Sequence, residues 1–216
     1  MINLEKSKKI FIDFDGVIVD SNKFKEHAIE ESIYKLFKKN EKILKAINYF
    51  NSNAGISRKK KLLLFFSEEE VSLIMKIYAS KCEKFFDNAI PTKGFKTFLN
   101  HIKENYKNIK FYILSGGERK EVKMFLNKND LLSFFEDIFC SDKTKEEHLK
   151  DIKIARNDIF IGDSKHDLRT SLNLGIKFIL FEEYKSKKSF PKEELIKKNV
   201  LLRTKNFQSL IDEIKK

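Results

Sequence analysis

Tryptophan is absent from the 216 residues, and cysteine and proline occur only twice each. Cys82 and Cys140 fall in unrelated segments, so there is no disulfide framework, and no Cys/His spacing suggests a zinc site. Both cysteines read as buried small hydrophobes. The four histidines, His27, His101, His148 and His166, are scattered and form no i, i+4 pair that could share a metal; each reads as a surface or packing residue. With two prolines, seven glycines, no internal repeat and no low-complexity stretch, long disordered linkers are not expected. No apolar run approaches the roughly 18 residues of a membrane span. The segment before the first apolar run, Met1 to Lys9, has neither an apolar signal region nor a small-residue cleavage site, so a cytoplasmic location is expected. What the chain has in excess is lysine: the formal charge is +12, with 41% hydrophobic residues. The lysines are spread along the chain, and the densest cluster is Arg58-Lys59-Lys60-Lys61. That spread reads as compositional bias, which disfavours a nucleic-acid groove, although a positive field speeds the arrival of anionic small molecules.

The most informative stretch is Phe11-Ile-Asp-Phe-Asp-Gly-Val-Ile-Val-Asp20. Lys9 to Asp15 reads as a central buried strand. Residues i and i+2 of a strand point to the same side, so Asp13 and Asp15 leave its carboxyl end together. Two adjacent carboxylates repel and are costly to bury without a cation or a shared proton. Gly16 suits a tight departure where the backbone approaches a ligand. The economical reading is a divalent-metal site in which one aspartate can also react. Three further segments carry related chemistry at strand ends: Lys110-Phe-Tyr-Ile-Leu-Ser115-Gly-Gly, Phe139-Cys-Ser-Asp-Lys-Thr-Lys145, and Ile159-Phe-Ile-Gly-Asp163-Ser-Lys-His-Asp167. In open parallel sheets, ligand sites form outside the carboxyl ends of the strands, so all four are expected to meet in one crevice.

Together these motifs resemble those of the haloacid dehalogenase-like hydrolase superfamily, and specifically its subgroup of phosphoglycolate phosphatases and beta-phosphoglucomutases. Asp13-x-Asp15-Gly-Val-x-x-Asp20 is similar to the first motif, Ser115 to the second, the lysine region to the third, and Gly162-Asp163-Ser-x-x-Asp167 to the fourth. The resemblance runs from about residue 8 to 181. It implies an α/β fold: a Rossmann-like parallel-sheet core with an inserted all-helical cap. The core would comprise residues 1–20 and 89–216, and the cap residues 21–88.

The pattern of the chain agrees. Ile29, Ile33, Leu36 and Phe37 recur at helical spacing, as do Ile43, Leu44, Ile47 and Phe50, and helical character continues through 62–66 and 71–86. Ser67 followed by Glu70 is a helix-start signal. Beyond Pro91, helices are expected at 95–105, 118–128, 145–154, 167–174 and 207–214. Strands are expected at 109–114, 137–140, 158–161 and 176–181, with Gly175 as a left-handed helix stop.

The resemblance also implies roles. Asp13 would be the nucleophile and Asp15 the general acid and then base, a role that would suit a carboxyl whose pKa burial raises. Mg²⁺ would take the Asp13 carboxylate, the Asp15 backbone carbonyl and Asp163, with Asp167 orienting the site. Ser115 and the following backbone N–H groups, Gly116 first, would bind the phosphate oxygens. The lysine of the third motif could be Lys143, Lys145 or Lys150. The related pattern Gly-Ser-Pro-x-Thr-Lys falls on Cys140-Ser-Asp-Lys-Thr-Lys145 without its glycine and proline, and selects Lys145. The family's dehalogenases lack an acid at the position of Asp15, so its presence favours phosphoryl transfer. Lys25 stands where the related mutases carry a histidine, which argues against a mutase; it either contacts an anionic substrate or is solvated. Asn53-Ala-Gly55-Ile-Ser57-Arg58 resembles the cap loop whose arginine reaches over the substrate, and Lys61 is a weaker candidate for the same task. The expected function is a Mg²⁺-dependent phosphatase acting on a small phosphomonoester, an organic acid or sugar phosphate. The alternatives are a phosphomutase and, further off, a nucleic-acid end-processing phosphatase. No feature fixes the oligomeric state.

Overall fold

The computed structural model describes residues 4–53, 56–150, 152–184 and 191–215. Its centre is a six-stranded, fully parallel sheet in the order β3-β2-β1-β4-β5-β6. The strands are β1 (Lys9–Ile12), β2 (Lys110–Leu114), β3 (Phe135–Phe139), β4 (Ile159–Gly162), β5 (Lys177–Phe181) and β6 (Leu202–Thr204). Sequence order runs outward in one direction from β1 to β3 and in the other from β4 to β6, so the switch point lies between β1 and β4. That is where an open parallel sheet leaves a crevice at its carboxyl ends.

The strands are apolar almost without interruption because both faces are covered. Ile10, Ile12, Ile113 and Ile161 enter one hydrophobic cluster, while Phe11, Leu114 and Phe160 enter the other. This alternation is the two-residue period of a strand. Each buried Phe or Ile contributes about 1.5–3 kcal/mol of transfer free energy.

Four helices follow β1: α1 (Asn22–Tyr34), α2 (Glu41–Ser52), α3 (Arg58–Leu63) and α4 (Glu68–Phe86). Each of the last three starts at a side-chain cap, Asn40, Ser57 and Ser67. Ser67 and Glu70 form the reciprocal capping box expected from their spacing. The helical pattern of the first stretch overreaches, since α1 ends at Tyr34 and Leu36 lies outside it, partly exposed. Leu44 also faces outward.

The remaining helices are α5 (Phe95–Asn105), α6 (Arg119–Lys128), α7 (Lys145–His148), α8 (Lys165–Leu174), α9 (Glu193–Asn199) and α10 (Phe207–Lys215). Gly175 takes the left-handed conformation, φ +66°, that closes α8. Two differences from the sequence reading matter. The helix expected over 145–154 is a single turn, Lys145–His148; Leu149 follows as its C-cap residue and joins the second cluster together with Ile152, while Asp151 lies outside the described residues. Strand β6 and helix α9 are additions to the expected elements: three residues with a central Arg203 offer too short a pattern to register a period. Among the described residues no helix is long and apolar enough to cross a membrane.

Candidate active site

Strand β1 stops at Ile12, and the two aspartates leave it into the crevice. The Asp13 backbone N–H is fixed by the Ile161 carbonyl of β4, 2.9 Å away. The chain then turns back, with the Gly16 N–H donating to the Val19 carbonyl at 2.8 Å. Gly16 has φ +80°, and a Cβ there would collide with Asn22 Nδ2 and with Asp163 Oδ2. Both the backbone and the neighbours therefore require glycine.

Three more crossovers bring their residues to the same place. The Thr144–Glu147 capping box opens α7 and directs Lys145 inward. Lys145 Nζ donates to Asp13 Oδ1 at 2.7 Å and to Asp167 Oδ1 at 2.5 Å. Ser164 and Asp167 form the box that opens α8, with Ser164 Oγ donating to Asp167 Oδ2 at 2.6 Å. Gly162 permits this turn, since a Cβ there would stand 2.5 Å from Asp167 Cβ. Asp163 accepts from Asn22 Nδ2 at 2.7 Å. Ser115, at the end of β2, is buried and accepts the Gly117 N–H at 2.9 Å, which leaves its hydroxyl proton free to donate. Gly116 lies open on the rim: a Cβ added there would meet nothing within 4 Å.

The electrostatics follow from burial. Oxygens of Asp13, Asp163 and Asp167 lie within 4.8 Å of one another, and Lys145 is the cation shared by Asp13 and Asp167. Burial, with the charges of Asp167 and Asp15, raises Asp13 to about 7 against the pull of Lys145. Burial, with the charges of Asp167 and Asp13, raises Asp163 well above the carboxylate range. Asp167 is held low despite burial, because Lys145 sits on it. Three buried carboxylates against one ammonium leave an excess of negative charge, and hard oxygen donors converge on one point. That donor set fits a divalent cation such as Mg²⁺.

Asp15 behaves differently from the expectation that burial raises its pKa. Burial does push it up, but Lys25 Nζ at 2.6 Å and the Ser21 hydroxyl at 2.5 Å outweigh that and lower it. Lys25 is therefore neither solvated nor free for an anion: its ammonium is the counter-ion of Asp15. Arg58 is also engaged. Its two terminal nitrogens donate to the two oxygens of Glu121 on α6, at 2.8 and 2.9 Å, and its guanidinium lies 4.9 Å over the Tyr78 ring. Within the loop expected to present it, Ala54 and Gly55 lie outside the described residues. Lys143 lines a neighbouring recess, and among the described residues it is Lys145 that forms the ion pairs with Asp13 and Asp167.

Asp13, Asp15, Lys25, Arg58, Gly116, Lys145, Asp163 and Asp167 line one cavity of about 160 Å³. Ser115 sits in the adjoining recess, which shares Gly116 and Lys145 with it. Sequence reasoning missed four residues here: Ser21, Asn22, Glu121 and His166. Ser21 and Asn22 directly follow the first motif, and His166 stands between Asp163 and Asp167, so proximity in sequence could have flagged them. Glu121 carries no such signal, because it reads as the solvated face of α6.

A family model described as haloacid dehalogenase-like hydrolase matches residues 10–181, and the chain belongs to that family. Among solved structures it is similar to a predicted phosphoglycolate phosphatase from Haemophilus somnus (TM-score 0.76, 12% identity, covering 98% of this chain and 99% of the other). It is also similar to a predicted phosphatase from Clostridium acetobutylicum (TM-score 0.71, 18% identity, 97% and 98%). A third is CbbY from Rhodobacter sphaeroides in complex with phosphate (TM-score 0.73, 12% identity, 94% and 96%). At these identities the likeness is one of fold. No curated protein sequence matches the chain.

Proposed function

We propose that this protein is a Mg²⁺-dependent phosphatase that hydrolyses a small phosphomonoester through an aspartyl-phosphate on Asp13. The observation that carries the reading is the buried Asp13–Lys145–Asp167 array with Asp163 beside it and Asp15 in the same cavity. The Asp13 and Asp163 carboxylates and the Asp15 carbonyl would hold the ion. When bound, it neutralises charge on the phosphoryl oxygens.

The protein's own groups account for the rest. Lys145 keeps Asp13 aligned and offsets the charge that accumulates around it. Asp13 attacks phosphorus, the phosphorus–ester oxygen bond breaks, and the leaving oxygen takes a proton from Asp15. Water then attacks the phosphoryl group, gives its proton to Asp15, and the phosphorus–Asp13 bond breaks. Asp15 as it stands, low and paired with Lys25, is ready for the second step. For the first it must carry a proton, so the Lys25 contact has to loosen when the ester is seated. Ser115 and the Gly116 N–H would steady the transferring oxygens.

We also take residues 21–88 as a cap over a core of 1–20 and 89–216. Phe50, Arg58, Lys61 and Tyr78 from the helical stretch wall the cavity together with Asp13 and Lys145. The volume lies below the roughly 300–1,000 Å³ of drug-sized pockets, which favours a small ester over a polymer end.

The test is phosphate release from a panel of phosphate esters, with Mg²⁺ and with EDTA, by the protein and by Asp13→Asn. Metal-dependent turnover that falls by ~10³-fold or more in the variant supports the reading. Turnover that survives Asp13→Asn overturns the covalent route, and folded, Mg²⁺-loaded protein inert on every ester overturns the phosphatase.

A further inference from the structure

Three of the four ammonium or guanidinium groups that wall the cavity are already matched to carboxylates. Lys145 is held by Asp13 and Asp167, Lys25 by Asp15 with Glu121 3.8 Å away, and Arg58 by Glu121. The fourth is Lys61 on α3. It is only 7% exposed, yet no carboxylate among the described residues lies within ion-pair range of its Nζ. Its one hydrogen bond among the described residues goes to the Phe50 carbonyl, 2.9 Å away near the end of α2, and the ammonium lies 3.8 Å from the centre of the Phe50 ring. An ammonium has three donors, so two remain. Two cations, Arg58 on the same helix and Lys25 on α1, act against its charge, and Asp15, already held by Lys25, lines the same cavity.

A buried, unmatched ammonium beside two other cations is costly to the fold, and helix α3 carries it into the wall of the reaction cavity all the same. We propose that Lys61 is the specificity-determining residue, binding a second anionic group on the substrate, so that the preferred esters carry a carboxylate or a second phosphate besides the one transferred. This deepens, and rests on, the phosphatase reading above. Burial and the two neighbouring cations push Lys61 down to about 7, the state of a group whose counter-ion arrives with the ligand. The competing account is that Lys61 only ties α3 to the end of α2 through the Phe50 carbonyl.

The experiment measures binding, so that it does not depend on turnover. Calorimetric titration with Mg²⁺ at about physiological ionic strength compares three stable phosphonates: propylphosphonate, 3-phosphonopropionate and 1,3-propylenebisphosphonate. The expected result is that at least one doubly anionic compound binds about tenfold or more tighter than propylphosphonate, and that this ratio collapses in Lys61→Met and returns in part in Lys61→Arg. Which compound holds the advantage says whether the second group is a carboxylate or a phosphate. Equal binding of all three by the unaltered protein, or an advantage kept by Lys61→Met, overturns the proposal. A purely structural Lys61 would change the stability of Lys61→Met and leave the ratio alone. If the ratio behaves as expected and no ester is hydrolysed, the phosphatase reading fails while the anion site stands.

Discussion

A lysine that has lost most of its water and gained no carboxylate is a liability to folding, and Lys61 shows the sign of that cost. Its ordinary pKa of 10.5 falls to about 7 in the folded chain. Between those values the unfolded chain binds more protons than the native one, so stability rises with pH across that window. Below about 7 the native state carries the full penalty of the buried charge. Lys61→Met is therefore expected to be more stable than the parent by ~1–2 kcal/mol at pH 6, after the lost Phe50 bond is counted, with the gain shrinking as pH rises through the window. Urea unfolding at pH 6 and at pH 9 checks this; a variant equally or less stable at pH 6 contradicts it. The same titration reaches the ligand. Burial, Arg58 and Lys25 all push its pKa down, while Asp15 and Glu26 line the same cavity, so its proton is lost as pH rises from 6 to 8.5. The affinity ratio of 3-phosphonopropionate over propylphosphonate should fall across that range. In Lys61→Arg it should stay level, since a guanidinium does not titrate there. The phosphonate's own titration is common to both ligands and cancels in the ratio.

Short loops at the ends of strands decide the geometry at the next scale. The turn after β1 is the most constrained, because Gly16 combines φ +80° with Asn22 and Asp163 filling the space a Cβ would take. Gly16→Ala is expected to cost ~2–4 kcal/mol of stability and to lower turnover by ~100-fold or more, since Asp163 must move. Gly175 supplies the control: its φ is +66°, but nothing lies within 4 Å of its Cβ position. Gly175→Ala should cost only ~1 kcal/mol and keep turnover near the parent value. Denaturation midpoints and ester turnover of the two variants separate crowding from backbone strain; equal effects on both would refute the distinction. The loops also show what was legible beforehand. Asp13, Asp15, Ser115 and Asp163 follow apolar runs, and a strand's carboxyl end is where such runs deliver a side chain, so their convergence could be read from the chain. The pairing of Arg58 with Glu121 could not. It joins residues 63 positions apart, and on α6 the acid stands among charged neighbours that conceal its buried face. Lys25 was ambiguous for the same reason, since only tertiary structure supplies Asp15 as its partner.

Across the molecule, the helical stretch and the sheet are joined by contacts of unequal worth. Lys120–Glu83 and Lys128–Asp87 link α6 to α4 and its end, but their side chains are exposed, and such pairs contribute little. Arg58–Glu121 is bidentate and buried. Removing one partner strands the other's charge, so Arg58→Met or Glu121→Met alone should cost ~3–5 kcal/mol, and the double variant less than the sum by ~1–3 kcal/mol. A double-mutant cycle by urea unfolding measures the coupling, and additive losses would show that the pair does not fasten the two parts. The overall charge acts at this scale too. At +12 the protein should bind duplex DNA weakly at low salt and lose that binding by about physiological ionic strength, as scattered charge does. Binding that persists there would favour a nucleic-acid substrate.

The placement of β1 in the middle of the sheet sets a timetable for synthesis. Its neighbours open at Lys110 and Ile159. A chain growing at ~5–20 residues per second therefore shows this apolar strand to its surroundings for several seconds before either flank exists. The wait is when a chaperone would find Phe11 and Ile12, and when crowded ribosomes would risk aggregation. Over the same interval the nascent chain displays Asp13 and Asp15 without Lys145, Asp163 or Asp167, 130 or more positions away. Its chemistry stays silent until the far half of the polypeptide has emerged.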